Sequence, residues 1–273
     1  MTGPDQDGMA TTIKGTTSGM INSFILTPFF LDEALPGLKT IQGRDWTVNE
    51  PDLPPGTRQA RIAVINKELA RLVAEAASAG RRPVSLAGDC LSAIGVLAGL
   101  QKAGIDPCLL WFDAHGDFNT WETTPSGFLG GMPLAMIAGR GDQSIVREVG
   151  LRPLVESRII LTDARDLDPK EKALLGESKV VRLADPRRLL RDPLPDRPLH
   201  VHVDTDVITP EQAPAQNYPV PGGVSVADLK DIFRHLAGQY SIVAVSVSSW
   251  NPALDLDKSS EKAGLQALES LIG

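Results

Sequence analysis

Five short apolar runs punctuate this chain, and they constrain its fold more than any other feature: Val84–Ala87, Cys108–Phe112, Arg158–Leu161, Leu199–Val203 and Ile242–Val247. Each is bounded by turn-forming residues, and charged side chains are all but absent from them. Such runs read as strands covered on both sides. An earlier apolar and aromatic stretch, Asn22–Phe30, reads as a first strand. Between the runs lie segments of helical period. Ile62, Ile65, Leu69, Leu72, Val73 and Ala76 recur on one helical face, with Gly80 placed as a stop. Leu91–Ala103, Pro169–Leu175, Val226–Leu236 and Glu261–Ile272 follow, the third opened by Ser225 with Asp228 in capping-box spacing. Covered strands alternating with amphipathic helices predict βαβ units. The expected class is α/β, a three-layer α-β-α sandwich with a mainly parallel central sheet. Residues 1–20, rich in Gly, Thr, Ser and Asp, read as a mobile tail; 21–273 read as one domain. The proline- and glycine-rich stretch from Pro36 to Gly56 reads as a long loop.

Composition narrows the partners. The net charge is −7, with Lys and Arg scattered, which disfavours a phosphate backbone, so no nucleic acid is expected. Cys90 and Cys108 form no C-x-x-C pair and imply no disulfide framework. The N-terminus lacks a basic segment followed by an apolar one. The longest apolar stretch, Thr124–Gly139, is broken by Pro125, Pro133 and several glycines, so no membrane span is expected. By elimination the expected location is cytoplasmic.

In parallel sheets ligands bind beyond the carboxyl ends of the strands, and that is where the polar residues of this chain collect. The run Trp111-Phe112-Asp113-Ala114-His115-Gly116-Asp117 delivers three candidate metal ligands, Asp113, His115 and Asp117, in D-x-H-x-D spacing. Two carboxylates and an imidazole suit Mn²⁺ or a similar first-row metal. His202-Val203-Asp204-Thr205-Asp206 adds Asp204 and Asp206 after another strand. Four aspartates and a histidine at two strand ends can hold two cations about 3.5–4 Å apart; without metal, they would raise one another's pKa. Ala87-Gly88-Asp89-Cys90-Leu91-Ser92 places Cys90 at a helix opening, where the dipole favours a thiolate and hence a soft ligand. His202 reads as a buried, hydrogen-bonded ring, and Trp250 as either pocket wall or core.

Together these segments resemble the arginase, agmatinase and formimidoylglutamase family of ureohydrolases, in the right order from about Val84 to Asp255. The resemblance implies the ureohydrolase fold, two Mn²⁺ per chain, a small-molecule substrate and a homo-oligomer. It implies one metal held by Cys90, Asp113, Asp117 and Asp204, and another by Asp113, His115, Asp204 and Asp206, with Asp117 as the catalytic proton carrier. Asn119, Ser126 and Asp168 correspond to positions that bind the amino-acid end of a substrate. Arg165-Asp166-Leu167-Asp168-Pro169, Pro221-Gly222-Gly223 and Asn251-Pro252 with Asp255 are further matches.

The departures are specific. A ligand His becomes Cys90. The family loop S-G-N-L-H-G reads Ser126-Gly127-Phe128-Leu129-Gly130-Gly131, so a substrate-contacting Asn becomes Phe128 and a proton-shuttling His becomes Gly130. A guanidinium-pairing Glu becomes Ser249, which stands as a candidate substrate contact. Cys90, the Asp117-Phe118-Asn119-Thr120 run and the aromatic-L-G-G loop are similar to the Nω-hydroxy-L-arginine amidinohydrolase-like subgroup, although that subgroup keeps acidic residues where this chain has Ser246 and Ser249. The expected activity is hydrolysis of a C–N bond in a guanidino, hydroxyguanidino or related amidino group. Two other readings stand beside it: a non-catalytic ureohydrolase-fold paralogue with a binding or assembly role, and a binuclear amidohydrolase with a non-guanidino substrate.

Overall fold

The computed structural model describes residues 19–41 and 44–273. The expected tail at 1–20 lies outside the described residues except for Gly19 and Met20. Among the described residues ten strands form: β1 (Asn22–Thr27), β2 (Phe29–Phe30), β3 (Glu33–Ala34), β4 (Thr47–Val48), β5 (Arg82–Ala87), β6 (Cys108–Asp113), β7 (Ile159–Asp163), β8 (Val181–Leu183), β9 (Leu199–Asp204) and β10 (Ile242–Ser248). Eight of them make one sheet in the order β4-β1-β5-β10-β9-β6-β7-β8. Every pairing in it is parallel. The class is α/β, as expected. β5, β6, β7 and β9 are buried along their whole lengths, which is why the sequence shows them as unbroken apolar runs.

Helices cover both faces. α1 (Arg58–Ser78) and α2 (Ser92–Lys102) pack on one side, α6 (Val226–Gln239) and α7 (Ser259–Ile272) on the other. Alternation along β6 divides the core between the layers. Leu109 and Trp111 join the α2 side, while Leu110 and Phe112 join Phe233 of α6. α1 and α2 approach closely because Gly99 faces Val73: a Cβ at Gly99 would lie 2.6 Å from that of Val73. The side chain of Thr57 accepts from Ala60 N at the start of α1, and that of Ser225 from Asp228 N at the start of α6.

Several expectations change. Asn22–Phe30 is not one strand. It breaks at Pro28, which has no N–H for the ladder, and its end turns into the β2–β3 hairpin. The expected loop from Pro36 to Gly56 contains the edge strand β4. The Thr124–Gly139 stretch contains α3 (Pro133–Ile137), and α4 (Ser144–Val149) follows it, neither of them expected, whereas α5 (Pro169–Gly176) forms where a helix was expected. β8 is short and mostly exposed, too polar to show as an apolar run.

For function the sheet does one thing above all. β5, β10, β9 and β6 are adjacent and parallel, so their carboxyl ends share an edge. In register, Ser248 faces Asp204 and Val203 faces Phe112. The segments after Ala87, Phe112 and Val203, distant in sequence, are thereby brought together.

Candidate active site

Asp113 ends β6, and its carboxylate is tied on two sides. Oδ2 accepts from Trp111 Nε1 at 2.9 Å and Oδ1 from His115 N at 2.7 Å. Asp204 ends β9, with Oδ1 accepting from Asp206 N at 2.9 Å. Asp206 reaches back to the β6 loop: Oδ1 accepts from Ala114 N at 3.0 Å and Oδ2 lies 2.9 Å from His115 Nδ1. Asp117 follows in left-handed conformation (φ 49°), a cost that non-glycine residues sustain where surrounding structure imposes it. Its backbone carbonyl caps α3 through Leu134 N and Ala135 N. Cys90 sits between β5 and α2, its Sγ 2.9 Å from Asp204 Oδ2 and 3.0 Å from Ser248 Oγ.

Two overlapping clusters result. Ligand atoms of Cys90, Asp113 and Asp117 lie within 4.8 Å of one another, as do those of Asp113, His115 and Asp206. Asp113 is common to both. Asp204 stands outside these two triads, in contact with Cys90 and with Ser249, which donates to Asp204 Oδ2. All six residues expected as metal ligands therefore gather at one edge of the sheet.

The electrostatics are those of a cage short of positive charge. Asp113, Asp117 and Asp206 are buried, and burial together with neighbouring carboxylates raises all three above the usual carboxylate range. Burial and Asp206 bring Asp204 up to about 8. At His115 burial opposes the charge, but hydrogen bonds to Asp113 and Asp206 prevail and push it up to about 12. The proton on His115 serves as the local counter-charge. Asp117 Oδ2 is buried and has no hydrogen-bond partner among the described residues. Crowded carboxylates with an unpaired oxygen, beside a thiol and an imidazole, are what a pair of divalent cations would satisfy, so the donor set fits a binuclear site.

Cys90 corrects one expectation. The sequence places it where a helix dipole favours thiolate, but α2 begins two residues later, at Ser92. Burial, with Asp204, Asp117 and Asp113 nearby, pushes the thiol well above its ordinary value. A cation in the cage, rather than the dipole, is what would make it a thiolate.

A cavity of about 420 Å³ opens above the cage. Asn119 and Asp168 line it and are paired, Asn119 Nδ2 donating to Asp168 Oδ2 at 2.9 Å. Ser126 is at the exposed mouth, where Oγ accepts from Phe128 N. Ser249, in left-handed conformation (φ 68°), turns its hydroxyl to the cage floor rather than outward. Trp250 fills core and donates to Asp255; it does not line this cavity.

Sequence reasoning missed three lining residues. Phe30 stacks on Phe128 with ring centroids 6.3 Å apart, and Tyr218 meets Phe128 at 5.3 Å. Phe128 also covers Gly130, where a Cβ would lie 2.4 Å from its ring. Glu171, the N3 residue of α5, accepts from Phe118 N and Asp168 N and so joins the cage loop to the substrate loop. Its capping-box spacing from Asp168 was a readable signal; lone aromatics such as Phe30 and Tyr218 gave none. Arg165 pairs with Asp163 and donates to the backbone carbonyl of Asp206 at 2.9 Å, fixing the ligand turn from behind.

Comparison with known proteins agrees with this geometry. Residues 29–273 match the model of the arginase family. The chain is 33% identical to the arginase of Bacillus subtilis (strain 168) over 220 residues, 76% of this chain and 74% of that protein. It is 31% identical to the arginase of Bacillus caldovelox over 225 residues, 78% and 75% of the two. The crystal structure of arginase from Bacillus subtilis superposes with a TM-score of 0.81 at 29% identity, covering 93% of this chain and 98% of that one. Entamoeba histolytica arginase in complex with L-ornithine shares the fold, with a TM-score of 0.81 at 22% identity over 93% of this chain and 99% of that one. The chain belongs to the arginase family.

Proposed function

We propose that this protein is a ureohydrolase that hydrolyses a C–N bond of a guanidino-type group, with two Mn²⁺ ions held by Cys90, Asp113, His115, Asp117, Asp204 and Asp206. The observation that carries the reading is the cage itself: four buried aspartates converge with only one protonated imidazole among them, and Asp117 Oδ2 is left unpaired. Two divalent ions held by these residues would supply Lewis acidity, which would ease deprotonation of a water and offset negative charge developing at the reacting carbon's substituents.

The chain's own residues divide the remaining work. Asp117, which lines the cavity and whose Oδ2 is buried without a partner among the described residues, takes the proton released as water adds to the planar carbon. It returns that proton to the departing amine, so that the C–N bond breaks to give urea, or its N-hydroxy analogue, and a neutral amine. Asp168 and Asn119, already paired, present a carboxylate and an amide to the far end of the substrate. Ser126 offers a hydroxyl at the mouth. Ser249 orients Asp204 and brings no anion to the reacting group, so a guanidinium has no carboxylate partner at that position. Gly130 supplies no acid. Both features favour a reacting group less basic than guanidinium, and we take a hydroxyguanidine as the preferred class. The unpaired state of Cys90 and Cys108 accords with the reducing cytoplasm we propose as its location, and the family relationship with assembly as a homo-oligomer.

The test is urea or hydroxyurea release with added Mn²⁺ across arginine, Nω-hydroxyarginine, agmatine and ω-guanidino acids. The expected result is turnover, highest on the hydroxyguanidine. Silence across the panel from protein carrying two ions per chain would overturn the guanidino assignment.

A further inference from the structure

A row of buried polar side chains leads away from the cage, and the proposed chemistry uses none of it. Starting at Cys90, Sγ lies 3.0 Å from Ser248 Oγ, and Ser248 Oγ lies 3.4 Å from His202 Nε2. His202 Nδ1 is 2.8 Å from Ser246 Oγ, which is in turn 2.8 Å from His200 Nε2. Ser246, Ser248, His200 and His202 are 0% exposed. The row alternates between β9 and β10 because Ser246 pairs with His202, and Ser248 with Asp204, in the parallel register. His202 is held in place by Trp111, whose ring centroid is 3.8 Å away and whose Nε1 anchors Asp113.

Counting hydrogens fixes the direction of this row. Among the described residues neither imidazole has a carboxylate hydrogen-bond partner, and both rings are fully buried, where an uncompensated charge is costly, so each is neutral with one N–H and one acceptor. Ser246 has a single hydrogen for two rings. If it gives that hydrogen to His202 Nδ1, His200 donates from Nε2, His202 donates from Nε2 to Ser248, and Ser248 donates to Cys90 Sγ. The one unmet atom of the row is then His200 Nδ1 as a bare acceptor, and His200 Nδ1 is indeed without a partner among the described residues. In the opposite sense His200 Nδ1 carries a buried, unpaired N–H. Ser248 would also spend its hydrogen on His202, leaving the sulfur without a donor. Buried N–H groups without partners are the rarer defect, so the first direction prevails.

We infer that Ser248 is a positioning residue that donates a hydrogen bond to the Cys90 sulfur, and that His202, Ser246 and His200 fix the direction of that bond from inside the sheet. The inference rests on the proposal that Cys90 is a metal ligand. A hydrogen bond to a ligand sulfur orients its lone pairs and lowers the energy of its donor orbital, as outer partners do for ligating histidines.

Cobalt(II) reconstitution tests it without recourse to turnover. The parent should show a thiolate-to-cobalt charge-transfer band that Cys90→Ala abolishes. Ser248→Ala should move that band to longer wavelength and weaken cobalt affinity about 10–100-fold, the range for outer partners of a ligand. Ser248→Thr, which keeps the hydroxyl, should restore both, and His202→Phe should shift the band in the same sense by less. A parent with no such band would overturn the Cys90 ligand assignment and this inference with it. A parent band that stays fixed in folded, cobalt-loaded Ser248→Ala would overturn this inference alone. Should Ser248→Ala not fold, an unshifted band in His202→Phe decides against the directed row.

Discussion

The floor and the rim of the cavity obey different physical rules. The floor, Cys90 with Asp113, His115, Asp117, Asp204 and Asp206, stands at the carboxyl ends of fully buried strands, where the backbone leaves side chains little choice of position. Its residues work against the stability of the metal-free fold: the carboxylates are buried, crowded and raised in pKa. The rim, Phe128 with Phe30, Tyr218 and Gly130, is carried on the short strand β2 and on the segments around residues 128–130 and 218, and is held by ring contacts. It carries no charge and no strain of that kind. The floor's carboxylates cost stability in the absence of cations, whereas the apolar rings of the rim make no hydrogen bond or ion pair to the cage. On the proposed function, the floor would set the reaction class and the rim would select the substrate that reaches it.

The contrast breaks most sharply at Asp113, common to both ligand triads. Asp113→Asn is expected to lower product release by more than about 100-fold, beyond the range for an outer partner of a ligand, and to reduce bound metal. Without metal, the same variant should melt no lower than the metal-free parent, because one of four crowded carboxylates has lost its charge. Urea assays, elemental analysis and thermal melts of metal-free protein check the three parts. Full activity with normal metal content would remove Asp113 from the cage.

The next effect concerns the cage as a whole. Metal at 100 times its Kd stabilises a folded state by about 2.7 kcal/mol per site, and a domain of this size shifts by about 2 °C per kcal/mol. Chelation should thus lower Tm by about 5 °C or more, and readdition of Mn²⁺ should restore it. An unchanged Tm would mean that the carboxylates are satisfied without cations, against what the unpaired Asp117 Oδ2 implies.

The same contrast explains what the sequence could reveal. Strands covered on both faces are written in local composition, and parallel strands put their ends on one edge, so Asp113 and Asp204 could be placed together before any coordinates. The D-x-H-x-D run and the D-x-D turn owe their arrangement to a few residues of local chain. Phe30 and Tyr218 meet Phe128 only because three segments distant in sequence converge, and no period or spacing records that. Local reasoning also erred at Pro28, where a missing N–H outweighed an apolar stretch, and at Cys90, where burial and three carboxylates outweigh a helix start. In both cases a short-range preference met a stronger opposing effect, one from the ladder and one from the tertiary charge distribution.

On the rim, Phe128 and Gly130 should behave as one unit. The Phe128 ring occupies the space that a Cβ at position 130 would need, 2.4 Å away. Gly130→Ala should cost about 1–3 kcal/mol, the usual penalty of overpacking, or force the ring out of the cavity with a matching rise in KM. In a Phe128→Ala background the same change should cost less than about 0.5 kcal/mol, the scatter between independent sites. Denaturant unfolding of the four proteins yields the coupling directly. Additive costs would mean that the ring does not rest over Gly130, and the division between an apolar rim and a charged floor would need redrawing there.

The smallest effect lies on the seam between floor and rim. Glu171 accepts from Phe118 N on the cage loop and from Asp168 N on the substrate loop, yet burial brings it up to about 7 from its ordinary 4.5. The folded state therefore binds a proton that the unfolded state has released between those two values. Stability from this group is complete below pH 4.5 and declines as pH rises towards 7. Subtracting the melts of metal-free Glu171→Gln from those of the metal-free parent isolates the contribution. Relative to the variant, the parent should lose stability steadily from pH 4.5 to 7 and then level off. A flat difference would show that the two N–H bonds hold Glu171 at its ordinary value, making the seam part of the well-satisfied rim rather than of the strained floor.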